Sequence, residues 1–389
     1  MNWRYRHTVL ALCTLAFAAT MVARLVISPV VPDVTAGFDV STGAVGLALS
    51  GMWAAYAVTQ FPSGILGDRY GERVVILAAV GVTAAASLLL SVVPSFPAFA
   101  LVVVVLGAGA GLHYSVATTL LTREFDDIGR AIGVHVAGGP IAGLVAPIAV
   151  TAVAARYGWR SALALGAVVA VPVFGLFLWR VRPTPPVRPD QPMRERVALS
   201  PLTEFLTRPA IAYTTALAVA GAFTWQATAS FLPTFLVAYR GLPETTAGLL
   251  FSLYFVVNGV AQPIMGWVSD RFAPDTAVVT NMSTGVLGFG LLVAGPDVGM
   301  IPAVVLVGVA MTWGAPLQSR YFDRFEADER GAAFGLVRTV YMILGASGSV
   351  VVGVLSDTVG WAGAYGLLVC VMAVGLSLLA ANRAFRLGL

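Results

Sequence analysis

Gly64-Ile65-Leu66-Gly67-Asp68-Arg69-Tyr70-Gly71-Glu72-Arg73, together with Gly266-Trp267-Val268-Ser269-Asp270-Arg271-Phe272, decides how this chain folds. Each stretch joins the end of one long apolar run to the start of the next. The two lie at an offset of about 202, Asp68 to Asp270, and Gln60 precedes the first as Gln262 precedes the second. The match continues outward at nearly the same offset. Gly46 and Ser50 correspond to Gly248 and Ser252, and Gly158-Trp159 corresponds to Gly360-Trp361. Matches in three separate regions, in one order, mark an internal repeat.

Composition sets the class of that repeat. Of 389 residues, 58% are apolar and only 11% charged, where a soluble domain carries roughly 25% charged residues. So few charges cannot cover a water-soluble protein of this size. Disorder, a secreted disulfide scaffold and nucleic-acid binding are excluded on the same grounds. The chain reads as an all-α integral membrane protein. Every basic residue is arginine, and the net charge of +4 reads as orientation-setting loops. The only cysteines, Cys13 and Cys370, lie in apolar stretches near opposite ends and read as small core residues, with no disulfide and no metal site.

A membrane-spanning helix needs about 20 mainly apolar residues. Such stretches fall near 8–32, 43–66, 74–93, 98–121, 130–155 and 160–179, then near 210–238, 245–268, 276–295, 300–320, 331–355 and 361–382. This predicts twelve transmembrane helices: a six-helix bundle over 1–180, a linker over 181–209 and a second six-helix bundle over 210–389. The linker holds Pro183, Pro185, Pro186, Pro189 and Pro192 among charges and cannot bury a core. The first run, although preceded by Arg4, Arg6 and His7, is too long for the core of a signal peptide and is kept as a span. With the N-terminus inside, the loops bearing Arg4, Arg6, Arg69, Arg73, Arg123, Arg130, Arg271, Arg320, Arg324, Arg330, Arg383 and Arg386 are cytoplasmic. Only Arg156, Arg160 and Arg240 are left outside, so both termini are expected in the cytoplasm of a plasma-membrane protein. An even number of helices per half makes the repeat a parallel one, with its binding site expected near the midplane where the halves meet.

The first quoted stretch closely resembles the signature loop of the major facilitator superfamily, and the second its degenerate copy between spans eight and nine. Gly139-Pro140-Ile141-Ala142-Gly143 in span five resembles the glycine-proline motif of many antiporters in that family. The resemblance covers the whole chain and implies secondary transport by alternating access, as symport or antiport, without a cofactor. Physical chemistry gives the loop a matching role. Gly64 and Gly67 permit close helix approach, Gly71 suits an unusual backbone turn, and Asp68 can meet a helix N-terminus. Gly64, Asp68, Arg69, Gly71, Arg73, Gly139, Pro140, Gly266, Asp270 and Arg271 are therefore expected to act in gating. Arg338, about two turns into span eleven, is expected at the gate or paired with Asp323 or Glu326.

Buried charge points to the substrate, because an arginine at mid-bilayer costs about 2.5–3.5 kcal/mol even on a lenient scale. Arg24 lies about sixteen residues into the first span, roughly 24 Å at 1.5 Å per residue, with Thr20 and Ser28 on its face. A fixed guanidinium binds carboxylate or phosphate. Organic-anion branches of the family carry an arginine in the first helix, which Arg24 resembles. The second arginine of the organic-phosphate branch has no counterpart, since the repeat puts Trp225 or Gln226 there. A singly charged organic anion fits best, with Arg24, His113, Tyr114, Trp225, Gln226, Tyr254, Asn258 and Trp313 as the expected substrate-binding residues. No Asp or Glu lies deep in a span, so His113 is the deep group that titrates near neutral pH and protons are a candidate coupling ion. His135, shallower in span five, reads as structural.

The runner-up reading is a proton-coupled multidrug exporter with an aromatic cavity. An enzyme is not expected, since no phosphate-cradling loop, metal-ligand spacing or nucleophile-base pair is present. The expected partners are a small anionic molecule and the lipid bilayer, with no nucleic acid, and the protein is expected to act as a monomer.

Overall fold

The computed structural model describes residues 5–189, 206–325 and 330–389. Arg4, Pro192 and Glu326, which entered the sequence argument, lie outside the described residues. The described residues form helices and connecting turns, without strands.

Among the described residues, twelve helical spans follow in order. They are α1 (Tyr5–Phe38), α2 (Thr42–Tyr70), α3 (Glu72–Leu90), α4 (Phe96–Glu124), α5 (Ile128–Tyr157) and α6 (Trp159–Arg180). After the linker come α7 (Pro209–Ala238), α8 (Glu244–Arg271), α9 (Pro274–Ala294), α10 (Asp297–Phe322), α11 (Arg330–Thr358) and α12 (Gly360–Ala384). Eleven are long and apolar enough to cross a membrane, and α7 is long enough but more polar. The reason is local: Thr214, Thr215, Thr224, Gln226, Thr228, Ser230 and Thr234 are all buried. Their polar groups are turned to neighbouring helices and to their own backbone instead of lipid.

The repeat is visible in the backbone. Gly158 and Gly360 adopt the same positive φ of 81°, and each turns the chain into the last helix of its half. Several spans are not continuous. α1 bends through a 3-10 turn at Ser28–Val30, where Pro29 enters. α4 breaks at Leu112, whose N–H bonds tightly back to the Gly109 carbonyl. α5 breaks at Ala137, because Pro140 offers no N–H to the Val136 carbonyl four residues before it. α10 breaks over Met311–Trp313, the repeat counterpart of the α4 break.

The chain divides into two compact units, Met1–Val40 with Gly51–Ala198, and Ser41–Ser50 with Leu199–Leu389. In the first unit, α1 packs against α6, α5 and the halves of α4, and α3 packs against α6 and α4. Its core gathers Val9, Leu12, Cys13 and Ala16 of α1 with Val116, Leu120 and Leu121 of α4 and Phe177 of α6. Cys13 is buried there, whereas Cys370 is exposed on α12. The reading of Cys370 as a core residue is thereby corrected: its position on the helix turns it outward, as suits a thiol among lipid-facing apolar residues.

In the second unit, α7 packs closely along α11. An added Cβ at Gly345 would lie 2.5 Å from the Cβ of Ala222, and one at Gly348 would lie 2.2 Å from the Phe223 carbonyl. The beginning of α2 belongs to this unit. The Asp357 carboxylate accepts from the N–H groups of Thr42 (3.1 Å) and Gly43 (2.7 Å). One turn and more along, the Ser50 hydroxyl donates to the Ala346 carbonyl (2.6 Å) and accepts from the Val350 N–H (2.8 Å).

Candidate functional site

Arg24 belongs to the last turn of the long first helix of α1, with 2% of its surface exposed. Its position follows from the sequence period. Thr20, Met21 and Arg24 fall on one helical face, and the chain turns at Pro29 just beyond. Nε of Arg24 donates to the Thr20 carbonyl (3.0 Å), and one terminal nitrogen approaches the Met21 sulfur (2.9 Å). The guanidinium carbon lies 4.1 Å from the centroid of Tyr56 and 5.2 Å from that of Trp53. These rings sit three residues apart on α2, hence on one face. Among the described residues, no carboxylate pairs with Arg24.

This arrangement has a definite electrostatic meaning. A guanidinium cannot shed its proton, so the charge is retained in the interior. Each desolvated cation–π contact contributes up to about 2 kcal/mol, which holds the charge without neutralising it. A buried acid would have cancelled the charge; aromatic faces leave it available to an anion. Sequence reasoning found Arg24 and missed Trp53 and Tyr56. The legible signal was the pair of aromatics three residues apart in a span otherwise rich in small residues.

His113 opens the second half of α4, immediately after the break, and is fully buried. It packs with Phe17 and with His135, while Tyr114 beside it is half-buried against Phe17. The structure thus brings His113 and Tyr114 together with His135, which the sequence left as structural.

The remaining expected ligands lie in the second unit and are described within it. Gln226 donates its amide to the Met342 carbonyl (3.2 Å), while its Oε1 has no partner. One turn on, Ser230 and Ser349 share a hydrogen bond of 2.7 Å. Trp225 is half-buried beside them. Trp313 stands in the α10 break with its ring edge-on to Tyr341 at 5.8 Å, closely over Gly221, and its indole N–H is unpartnered. Tyr254 is fully buried, stacked with Phe251 and edge-on to Phe255, inside the packing of α8. Asn258 reaches the Gly308 carbonyl at 3.4 Å, joining α8 to α10.

The signature loop sits in the first unit against the linker. The Asp68 carbonyl accepts from the N–H groups of Val187 (2.8 Å) and Arg188 (2.9 Å). Arg73 donates to the Leu178 carbonyl (2.7 Å), and its backbone N–H to the Thr184 hydroxyl (3.0 Å). Gly71 has φ +85°, and a Cβ there would stand 2.2 Å from the Thr184 carbonyl oxygen. Glu72, 1% exposed, pairs with Arg123 at 2.7 Å. Arg69 stacks over Tyr70, Gly64 faces open space, and Gly139 lies 3.3 Å from the Phe17 ring when given a Cβ. In the second copy, Gly266 also faces open space, and Asp270 and Arg271 are exposed. Arg338 is half-buried on α11. In that unit Arg320 pairs with Asp275 and reaches the Leu389 carbonyl.

No group of three or more His, Cys, Asp or Glu residues that could hold a metal occurs among the described residues.

Known proteins agree with this architecture. A model of the Major Facilitator Superfamily matches twice, over residues 12–243 and 217–385. The hexuronate transporter of Bacillus subtilis (strain 168) is 22% identical over 390 residues, covering 93% of this chain and 90% of that one. The probable sulfoacetate transporter SauU of Cupriavidus necator is 23% identical over 393 residues, covering 91% and 88%. A solved bacterial homologue of the human lysosomal transporter Spinster superposes with a TM-score of 0.84 at 16% identity, over 99% of this chain and 98% of that one. The doubled family match and the repeated helices converge: this chain belongs to the Major Facilitator Superfamily and is a multi-pass membrane transporter.

Proposed function

We propose that the protein is a secondary transporter of a small organic anion, working by alternating access, with Arg24 as the charge anchor. The carrying observation is the buried guanidinium held by two aromatic faces, with no carboxylate paired to it among the described residues. An anion's oxygens complete it as charge-assisted hydrogen bonds. The names of its relatives, a hexuronate transporter and a probable sulfoacetate transporter, support the same substrate class. Within the second unit, Gln226 and Trp313, each with one uncommitted polar atom, are taken with Trp225, Tyr254 and Asn258 as substrate-contacting residues, and Tyr114 likewise in the first. Residues 1–180 and 210–389 are the two moving halves. The loop at Gly64–Arg73 and its copy at Gly266–Arg271, with Gly139, Pro140 and Arg338, gate the cytoplasmic side of a plasma-membrane protein whose termini lie inside.

Ligand-induced thermal stabilisation of purified protein tests this reading. A ligand at about 100 times its Kd adds about 2.7 kcal/mol to the folded state. The panel holds glucuronate, sulfoacetate, glucose 6-phosphate, glucose and tetraphenylphosphonium, for wild type and Arg24→Gln. An anion that stabilises wild type alone is the expected result. Stabilisation of both proteins by tetraphenylphosphonium, with no anion effective, overturns the anion reading in favour of a multidrug exporter.

A further inference from the structure

Two of the chain's three histidines, His113 on α4 and His135 on α5, meet inside the first unit. Both are fully buried, with ring centroids 5.5 Å apart. Phe17 packs on both rings, and Tyr114 lies 6.0 Å from His135. None of the four ring nitrogens completes a hydrogen bond. The main-chain carbonyl of Cys13 on α1 lies near both rings.

A neutral imidazole has one N–H and one lone pair, so two neutral rings here leave donors and acceptors unspent in a dry interior, which is costly. A single added proton resolves the arrangement. The protonated ring donates from both nitrogens, one towards the Cys13 carbonyl and one towards the lone pair of its neighbour, directly or through one water. A second proton is opposed by repulsion between two cations 5.5 Å apart, worth about two pH units at an effective dielectric of about 20.

A second observation places this pair where it can act on the backbone. His113 is the first residue after the break in α4, and His135 lies two residues before the break in α5. At that second break, Gly138 and Gly139 pack directly on Thr14 and Phe17 of α1, and the same helix α1 carries Arg24. The titratable and charged groups facing the pair are Cys13 and Arg24 of α1 and Tyr114 of α4. Glu72 and Arg123, on α3 and α4, are paired with each other.

We propose that His113 and His135 form a binding site for one proton, and that its loading is coupled to anion binding at Arg24. The site itself stands on the geometry of the pair; the coupling rests on the anion reading above. Arg24 stands seven residues, about 10 Å of rise, along α1 from Phe17, which packs on both rings, so its positive charge opposes a proton on the pair. An anion on Arg24 removes that opposition, so anion and proton favour each other's binding, and the linkage is reciprocal. The outcome is symport of an anion with a proton.

The test uses the full chain with ¹⁵N-labelled histidine and His7→Gln, which leaves only the pair visible. Without ligand, both rings are expected to move at one midpoint as one proton is taken up, with the second step displaced by about two pH units. Independent midpoints with two protons taken up, or no titration in the folded protein, overturns the proton site. Glucuronate or sulfoacetate is then expected to raise the first midpoint, and Arg24→Gln to raise it without ligand and to abolish the ligand effect. If the pair titrates as one and neither anion nor Arg24→Gln moves it, the coupling is overturned while the site stands. In liposomes, His135→Gln is expected to reduce glucuronate accumulation driven by a pH gradient at least tenfold; undiminished accumulation overturns the coupling.

Discussion

Arg24→Gln separates a functional arginine from a structural one, because the two roles move different observables. The guanidinium carbon stands 4.1 Å and 5.2 Å from the two ring centroids, contacts that together contribute about 1–4 kcal/mol. Burying the charge at bilayer depth costs about 2.5–3.5 kcal/mol. The two nearly cancel, and glutamine retains a donor for the Thr20 carbonyl. The ligand-free variant should therefore unfold within about 1–2 kcal/mol of wild type, a shift of a few degrees. Anion affinity should respond far more. A hydrogen bond to a charged group contributes about 1.5–3 kcal/mol, so Kd should rise by about 12- to 150-fold. Differential scanning fluorimetry of the purified protein gives the first quantity, and equilibrium binding of labelled glucuronate or sulfoacetate gives the second. Arg24→Lys, which keeps a charge but loses the planar fork, should fall between. A ligand-free variant that loses many degrees of stability while binding every anion as wild type does would refute the reasoning and leave Arg24 as packing.

Three further outcomes follow from the geometry. Gly71→Ala must adopt φ near +85° against the Thr184 carbonyl, so it should cost at least about 1–2 kcal/mol and expose the linker around Thr184 to protease; an unchanged midpoint would contradict this. The Glu72–Arg123 pair is asymmetric, with side chains 1% and 37% exposed. Arg123→Leu strands a buried carboxylate and should cost about 3–5 kcal/mol, whereas Glu72→Gln leaves an arginine that water can reach and should cost clearly less; the reverse order by chemical denaturation would overturn the argument. Asp357→Asn can no longer offer two anionic oxygens to the Thr42 and Gly43 N–H groups. It should weaken that helix start by about 0.3–2 kcal/mol and speed amide exchange at residues 42–46, and unchanged exchange would count against it.

The repeat, the twelve spans and the family were legible because a bilayer constrains sequence along one dimension: about 20 apolar residues, arginine on one side, turn residues between. The offset that pairs Asp68 with Asp270 also pairs Gly158 with Gly360, down to the same φ. Arg24 was legible as well, since a charge at that depth is conspicuous in any apolar run. Its rings were not, because Trp53 and Tyr56 sit on another helix, and which face of α2 meets α1 is decided by packing.

The same distinction explains the histidines. Sequence measured their depth one helix at a time, so His113 stood out as deep and His135 was set aside as shallow. Beside the breaks at Leu112 and Ala137, two residues of unequal nominal depth meet. Conversely, Gln226 is expected from sequence to face substrate, yet α11 supplies its amide with a partner through the Met342 carbonyl. Sequence by itself determined what this protein is, a doubled six-helix membrane transporter, because burial in lipid acts on each segment separately. Tertiary structure alone decided which polar groups remain unspent, because a hydrogen bond or a cation–π contact depends on two helices and is written in neither.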